Sequence, residues 1–337
     1  MARVEEGQGF AMTAKLNVGL GAVVIVIWLY IADVDIVSAA LVLSFLILIP
    51  LLLHIAVPKR PNMKAEFILR WLSQRSFLAG IFGLASVTFE PLVLSIVLAS
   101  IWFLFMLVVA LCGAWRIYRR GLYPAEETII DVGLLFTGVG GIWLILWQAG
   151  IDQVLPYDEL TMSLTTVHYH YSAVVIPVLT GAFGRLLVSL RGDTGTAYRF
   201  LAIGAAIGSP LIALGVIQGP PLELVYVTIY AGLLYWLSIW WLMLLPKMTL
   251  RTRACLLLAC TSLLVSMGVT FLYAFGVTFQ VDIISYSMMF VWHGAVNAIG
   301  FSLFGVLGWY LLGSLPKRKR LGSGIVNPKE AGHHEEL

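Results

Sequence analysis

The sequence is short of charge. Asp, Glu, Lys and Arg make up only 12% of its 337 residues, against about 25% in soluble globular domains. That leaves too little polar surface to cover a water-soluble globule, and it excludes the charge-rich, apolar-poor composition of disordered chains. Cysteine is scarce as well: three residues in the whole chain exclude a disulfide-stapled secreted scaffold. A formal net charge of +3 on so apolar a chain gives no basis for a nucleic-acid partner. What is abundant is hydrophobic, with 60% of residues apolar and a mean hydropathy of +0.93. These are the proportions of a polytopic membrane protein whose first partner is the lipid bilayer.

Reaction motifs are missing too. No G-x-x-x-x-G-K-[ST] phosphate loop, H-E-x-x-H helix or G-x-S-x-G elbow occurs in the sequence. There is no paired Asp-rich motif of the prenyltransferase kind, no selectivity-filter sequence and no arginine ladder. Membrane di-iron oxygenases need many more histidines than the three this chain places at mid-depth. No metal or other cofactor is therefore expected.

Ten stretches are long and apolar enough to cross the roughly 30 Å hydrocarbon layer as helices. They lie near 16–32, 36–57, 76–90, 92–115, 128–149, 160–188, 198–217, 222–246, 254–278 and 283–314. Barrel strands would be about ten residues long and alternate in polarity, which these runs do not. The first run follows Glu5 and Glu6 without a small-residue cleavage site, so it is read as a retained span and not a signal peptide. All 21 Lys and Arg fall before span 1, after span 10, or around the connections 2–3, 4–5, 6–7 and 8–9. The opposite connections hold only acids: Asp33, Asp35, Asp152, Asp158, Glu159, Glu223 and Asp282. The positive-inside rule then puts both termini in the cytoplasm.

The expected organisation is an all-α bundle of about ten spans. Residues 1–15 form a cytoplasmic N-terminal segment, 16–315 the transmembrane domain, and 316–337 a basic, disordered cytoplasmic tail that includes His333 and His334. Within the first basic connection, residues 64–75 place Phe67, Ile68, Trp71 and Leu72 on one face, the pattern of a helix lying in the interface. Cys112, Cys255 and Cys260 sit towards the cytoplasmic ends of spans, where thiols stay reduced.

Ionisable groups at membrane depth are costly and mark candidate sites. Span 6 carries His168 and His170, and span 10 carries His293 and Asn297. Both spans begin on the outer side, and at 1.5 Å per residue all three histidines lie roughly 12–15 Å deep. His168 and His170, two residues apart, point about 200° away from each other on a regular helix. One is expected to face the bundle interior while the other bonds a neighbouring helix. His293 and Asn297 share a face at i, i+4.

Glu90, in front of Pro91, ends a short third span and is a candidate to reach the histidine layer. His168, His170, His293, Asn297 and Glu90 thus form the candidate catalytic set. Tyr171, Tyr230, Thr166 and Trp292 form the candidate substrate pocket. Towards the cytoplasm, Glu127 and Asp131 are one turn apart near Arg185, and an Asp131–Arg185 bridge is the expected structural pairing.

Three blocks carry a family resemblance. VHYHYSAVVIPVLTGAFGRL, the preceding ETIIDVGLLFTGVGGIWLILWQAG and the distant WHGAVNAIGF resemble the YndJ-like family of bacterial membrane proteins. The likeness is best over about 127–190 and 288–305. It implies a multi-pass protein of the bacterial inner membrane and directs attention to His168, His170, His293 and Asn297, but it assigns no reaction.

Imidazole passes protons near neutral pH, so the leading functional expectation is an acid–base enzyme acting on a lipophilic small molecule: isomerisation, cyclisation or epoxide opening. The alternative is a proton-coupled small-molecule transporter with its site at the midplane. A third expectation is a haem held by His170 and His293, against which the outer side offers no Lys or Arg for propionates.

Overall fold

The computed structural model describes residues 2–89, 92–151 and 157–314. The tail expected over 316–337 and the acid Glu90 lie outside the described residues. Among those described there is no strand, and the chain forms ten helical rods. They are α1 (Ala2–Ile31), α2 (Ile36–Ala56), α3 (Lys64–Ser86), α4 (Leu92–Arg120), α5 (Ala125–Gln148), α6 (Glu159–Arg191), α7 (Gly195–Gln218), α8 (Leu222–Lys247), α9 (Leu250–Phe279) and α10 (Tyr286–Gly313). Nine are long and apolar enough to span a membrane, all but α3.

The third rod departs from the sequence reading. Residues 64–75 are not a separate surface helix; they are the first half of a continuous α3. The reason is a stripe of small and apolar residues, Ala65, Leu69, Leu72, Ser76, Gly80 and Gly83, that is buried along its whole length. Spaced by three and four, these residues keep one face turned to the bundle. Phe67, Ile68 and Trp71 face outward, 46–55% exposed. The polar start of this helix is what lowers its hydropathy below that of a spanning segment.

Helix ends are fixed by local chemistry. Asp35 caps α2 by accepting from the Val37 and Ser38 N–H groups at 2.8 and 3.0 Å. Asp158 caps α6 by accepting from the Thr161 N–H at 2.7 Å. Asn17 of α1 donates its amide to the Ser73 carbonyl of α3 at 3.1 Å, tying the first helix to the third.

Three rods are irregular. α2 widens to π geometry over Ser44–Leu48, directly before Pro50. α6 breaks at Tyr171 (φ −113°, ψ −89°) into Glu159–His170 and Ser172–Arg191. α10 is π-helical over Phe290–Leu303. Interruptions of this kind free backbone groups that must find other partners inside a membrane. They also recur at functional sites. The three candidate histidines lie on two of these rods, α6 and α10.

At the end of the bundle where Lys and Arg gather, ion pairs join α3, α4, α5 and α6. Arg116 lies inside α4 with no exposed surface, not in the connection after span 4 as the sequence suggests. It reaches Glu127 at 2.6 Å, Asp131 at 3.0 Å and Glu66 at 3.8 Å. Arg120 pairs with Asp131 at 2.7 Å. Arg185 pairs with Glu127 and donates to the Ile55 and Ala56 carbonyls at 2.7 and 3.0 Å. The expected Asp131–Arg185 bridge is therefore replaced by Glu127–Arg185. Four residues along a helix advance about 400°, so the two acids differ by about 40° in direction. That offset turns Glu127 into the junction of α4 and α6 and leaves Asp131 to α4.

Candidate functional site

The break in α6 sorts its two histidines. Pro177 has no N–H to donate and its ring crowds the carbonyl four residues earlier. The first turn after Tyr171 is reorganised accordingly, with the Val174 and Val175 N–H groups both donating to the Tyr171 carbonyl at 3.1 and 2.7 Å. The His170 carbonyl accepts instead from the Ser44 hydroxyl of the widened segment of α2, at 3.3 Å. The Tyr171 hydroxyl donates to the Ala40 carbonyl at 2.6 Å. Two irregular helices thus satisfy each other's freed groups.

His170 is completely buried. Its Nδ1–H donates to the Thr166 carbonyl at 2.8 Å, and its Nε2 accepts from the Trp102 indole N–H of α4 at 3.1 Å. Both ring nitrogens are spent. Phe45 packs edge-on against the same ring, with centroids 5.2 Å apart. α5 comes close enough to touch it because residue 140 is glycine: a methyl there would sit 3.1 Å from two atoms of the imidazole. A haem or metal ligated by His170 does not fit this arrangement, since the Nε2 lone pair is already bonded to Trp102.

His168 is the opposite case. It is exposed, its Nδ1–H donates to the Leu164 carbonyl at 2.8 Å, and its Nε2 has no protein partner. Because a carbonyl only accepts, the proton of the neutral ring is on Nδ1, and Nε2 presents a lone pair. Its ring lies alongside that of His293, with centroids 6.2 Å apart and planes inclined by 26°. The first half of α6 packs on α5 and α2, while the π segment of α10 packs on α9. The two imidazoles therefore lie side by side at the junction of two helices supported chiefly by different neighbours, a junction called the cleft.

His293 is half-buried and held through Nδ1. The Thr270 hydroxyl lies 2.6 Å from that nitrogen, the Ser266 hydroxyl 3.2 Å and the Asn297 amide nitrogen 3.2 Å. The Thr270 hydroxyl gives its one proton to the Ser266 carbonyl at 3.0 Å, so in its 2.6 Å contact with the imidazole it accepts, and the ring proton of His293 is on Nδ1. The wide turn of the π segment keeps Asn297 beside His293, and the Asn297 Oδ1 is buried without a partner.

The other expected residues are dispersed. Thr166 is fully buried and donates to the Met162 carbonyl at 2.9 Å, supporting His170 and not the cleft. Tyr171 is buried on α2. Trp292 is 47% exposed, on the face next to that of His293. Tyr230 is buried against Gly208 of α7, with the Ser209 hydroxyl beside its own. One residue from that glycine, the Ser209 hydroxyl bonds that of Ser172 at 3.1 Å, and Ser172 donates to the His168 carbonyl at 3.2 Å. Sequence reasoning missed Thr270, Ser266, Ser172, Ser209 and Trp102. The i, i+4 pair of Ser266 and Thr270 in an apolar span was the one signal available for them. Among the described residues no group of three His, Cys, Asp or Glu stands close enough to hold a metal ion.

The chain is similar to a known membrane protein. It is 27% identical over 285 residues to the "Uncharacterized membrane protein YndJ" of Bacillus subtilis (strain 168), an alignment covering 84% of this chain and 50% of that one. The chain thus spans about half the length of this curated relative. No solved structure matches it significantly. The family model described as YndJ-like protein matches residues 39–301, which takes in every helix from α2 to the middle of α10 and both halves of the cleft, so the chain belongs to the YndJ-like family.

Proposed function

We infer that the cleft is an acid–base site acting on a lipophilic small molecule. The observation that carries this reading is the adjacency of the two imidazoles, with ring centres 6.2 Å apart. Each ring is held through Nδ1, His168 by the Leu164 carbonyl and His293 by the Thr270 hydroxyl, which leaves both Nε2 atoms without a protein partner among the described residues. With one ring protonated and the other neutral, the pair gives a proton to a bound group and takes one from it. Isomerisation, cyclisation and epoxide opening need that pair and no cofactor. Asn297 and Thr270 hold His293 in register, and His170 supports the scaffold without touching the substrate.

The test is a comparison of lipid extracts from cells expressing the wild-type protein, His168→Gln or His293→Gln at equal membrane levels. The expected result is a pair of lipophilic species, of equal mass or differing by one water, whose ratio shifts only with the wild-type protein. Extracts that do not distinguish the three overturn the reading.

A second reading, proton-coupled transport across the inner membrane, is favoured by the interruptions of α6 and α10 beside the site, because broken helices around a midplane site are the architecture of secondary transporters. It predicts proton-gradient-driven uptake into proteoliposomes with no chemical change in the solute.

A further inference from the structure

Above the cleft, at the acidic end of the bundle, the junction of α9 and α10 forms a shallow, open cavity of about 340 Å³. Its walls include Tyr273, Gln280, Asp282, Ser285 and Tyr286. The junction is a built structure. α9 ends on Gln280 in the left-handed region (φ 57°), and the Val281 N–H turns back to donate to the Gly276 carbonyl at 2.9 Å. Glycine is needed at 276, since a methyl there would lie 2.6 Å from the Val281 carbonyl oxygen. The Ser285 hydroxyl then caps α10 by accepting from the Met288 N–H at 3.2 Å.

Two features of the cavity indicate what it holds. Tyr273 and Tyr286 meet edge to face, with centroids 6.2 Å apart and planes at 61°, and so form a corner of two aromatic walls. Asp282, with no ion pair among the described residues, supplies a carboxylate to the same cavity. Two aromatic faces at a steep angle together with a carboxylate make a favourable environment for an organic cation. The loops at this end carry no Lys or Arg to compete. A second hollow, about 250 Å³ between α8 and α9, is lined by Thr228, Gly232, Tyr235 and Met267 among others and offers no carboxylate.

The cavity also lies in line with the histidines. Tyr273 is one turn along α9 from Thr270, which contacts His293 Nδ1. Tyr286 is seven residues before His293 on α10, roughly 10 Å along the helix axis. The cavity thus sits on the two helices that hold His293, nearer their acidic end.

We propose that the cavity is a recognition site for a substituted ammonium group on a lipophilic molecule, whose apolar body extends towards His168 and His293. The placement of that body rests on the acid–base reading of the cleft; the ammonium site itself does not.

Binding to the purified full chain in a non-ionic detergent tests this, using hexyltrimethylammonium as the probe and hexanol and hexanoate as its neutral and anionic counterparts. The cation is expected to bind in preference to both. Asp282→Asn and Tyr286→Leu are each expected to weaken it about tenfold, whereas Tyr286→Phe, which keeps the ring, retains it. Glu223→Gln, an acid at the same end of the bundle but outside the cavity, leaves binding unchanged. Hexanol binding as well as the cation, or an Asp282→Asn protein with wild-type affinity and an intact elution profile, overturns the proposal. Cation binding that persists while His168→Gln and His293→Gln alter no metabolite would instead remove the acid–base reading and leave the ammonium site standing.

Discussion

The indole N–H of Trp102 donates to Nε2 of His170 at 3.1 Å, across the interface of α4 and α6. With Nδ1–H bonded to the Thr166 carbonyl, this histidine is a buried strut whose removal is a stability event. Trp102→Phe leaves Nε2 buried and unpaired, a cost of about 1–3 kcal/mol. His170→Ala adds a cavity among Phe45, Trp102 and α5, and is expected to cost about 2–5 kcal/mol. Thermal unfolding in detergent should show both losses, with His170→Ala the larger. Equal midpoints for wild type and both variants would show that the strut carries no load.

His168, two residues away, should behave in the opposite way. Its side chain is exposed and bonded only to its own helix at Leu164, so His168→Gln is expected to leave the unfolding midpoint nearly unchanged, within the roughly 0.5 kcal/mol usual for exposed substitutions. The same variant is expected to abolish the lipid conversion. A strongly destabilised His168→Gln protein would contradict the placement of this ring on the cleft.

The division of labour between these two residues shows what the sequence made legible. Spacing alone requires His168 and His170 to diverge, and the depth of His293 on a span that also enters from the outer side puts it level with them. Which of the two would meet His293 depends on the break at Tyr171, and the break depends on Ser44 and Ala40 of a distant helix, contacts that no local pattern encodes. The ion pairs teach the same lesson. The types and ends of Glu127, Asp131 and Arg185 are readable from the sequence. The choice of Glu127 over Asp131 turns on about 40° of helix rotation and on the burial of Arg116, whose position inside α4 a span count stops short of.

Glu127 is shared by two guanidinium groups, Arg116 at 2.6 Å and Arg185. Glu127→Gln leaves both without their central counter-ion, and Arg116 has no exposed surface through which to recruit water. Breaking a buried pair from one side typically costs about 3–5 kcal/mol; with the Glu127 side chain 20% exposed, about 2–4 kcal/mol is expected. Arg185→Met alone should cost less than Glu127→Gln, because Glu127 then retains Arg116. Reversal of that order in thermal melts would mean that Arg185 is held chiefly by the Ile55 and Ala56 carbonyls.

Asp158 gives the bundle a pH-dependent helix start. The hydrogen bonds from the Thr161 hydroxyl and N–H hold its carboxyl below the usual carboxylate range. A carboxylate with a depressed folded-state pKa adds stability above its unfolded pKa, near 3.9. That contribution is lost as pH falls through the folded value. Hydrogen exchange at Thr161 is therefore expected to be slower in wild type than in Asp158→Ala at neutral pH. The difference should shrink in acid, where the wild-type carboxyl protonates. A difference that persists undiminished at pH well below 3.9 would show that the cap does not act through its charge.

The ring-proton positions in the cleft are open to direct observation without any substrate. In protein carrying nitrogen-15 histidine, the neutral tautomers give distinct ring-nitrogen signals. His168 and His170 are expected to show protonated Nδ1, because each donates to a backbone carbonyl, at Leu164 and Thr166. His293 is expected to show the same form, because the Thr270 hydroxyl, its own proton given to the Ser266 carbonyl, accepts at Nδ1. Thr270→Val removes that acceptor, and His293 should then divide between tautomers, while Thr270→Ser restores the single form. Loss of the lipid conversion in Thr270→Val with recovery in Thr270→Ser, tracking the tautomer and not the unfolding midpoint, identifies Thr270 as a positioning residue. A His293 tautomer that is the same in wild type and Thr270→Val would show that Thr270 does not set it.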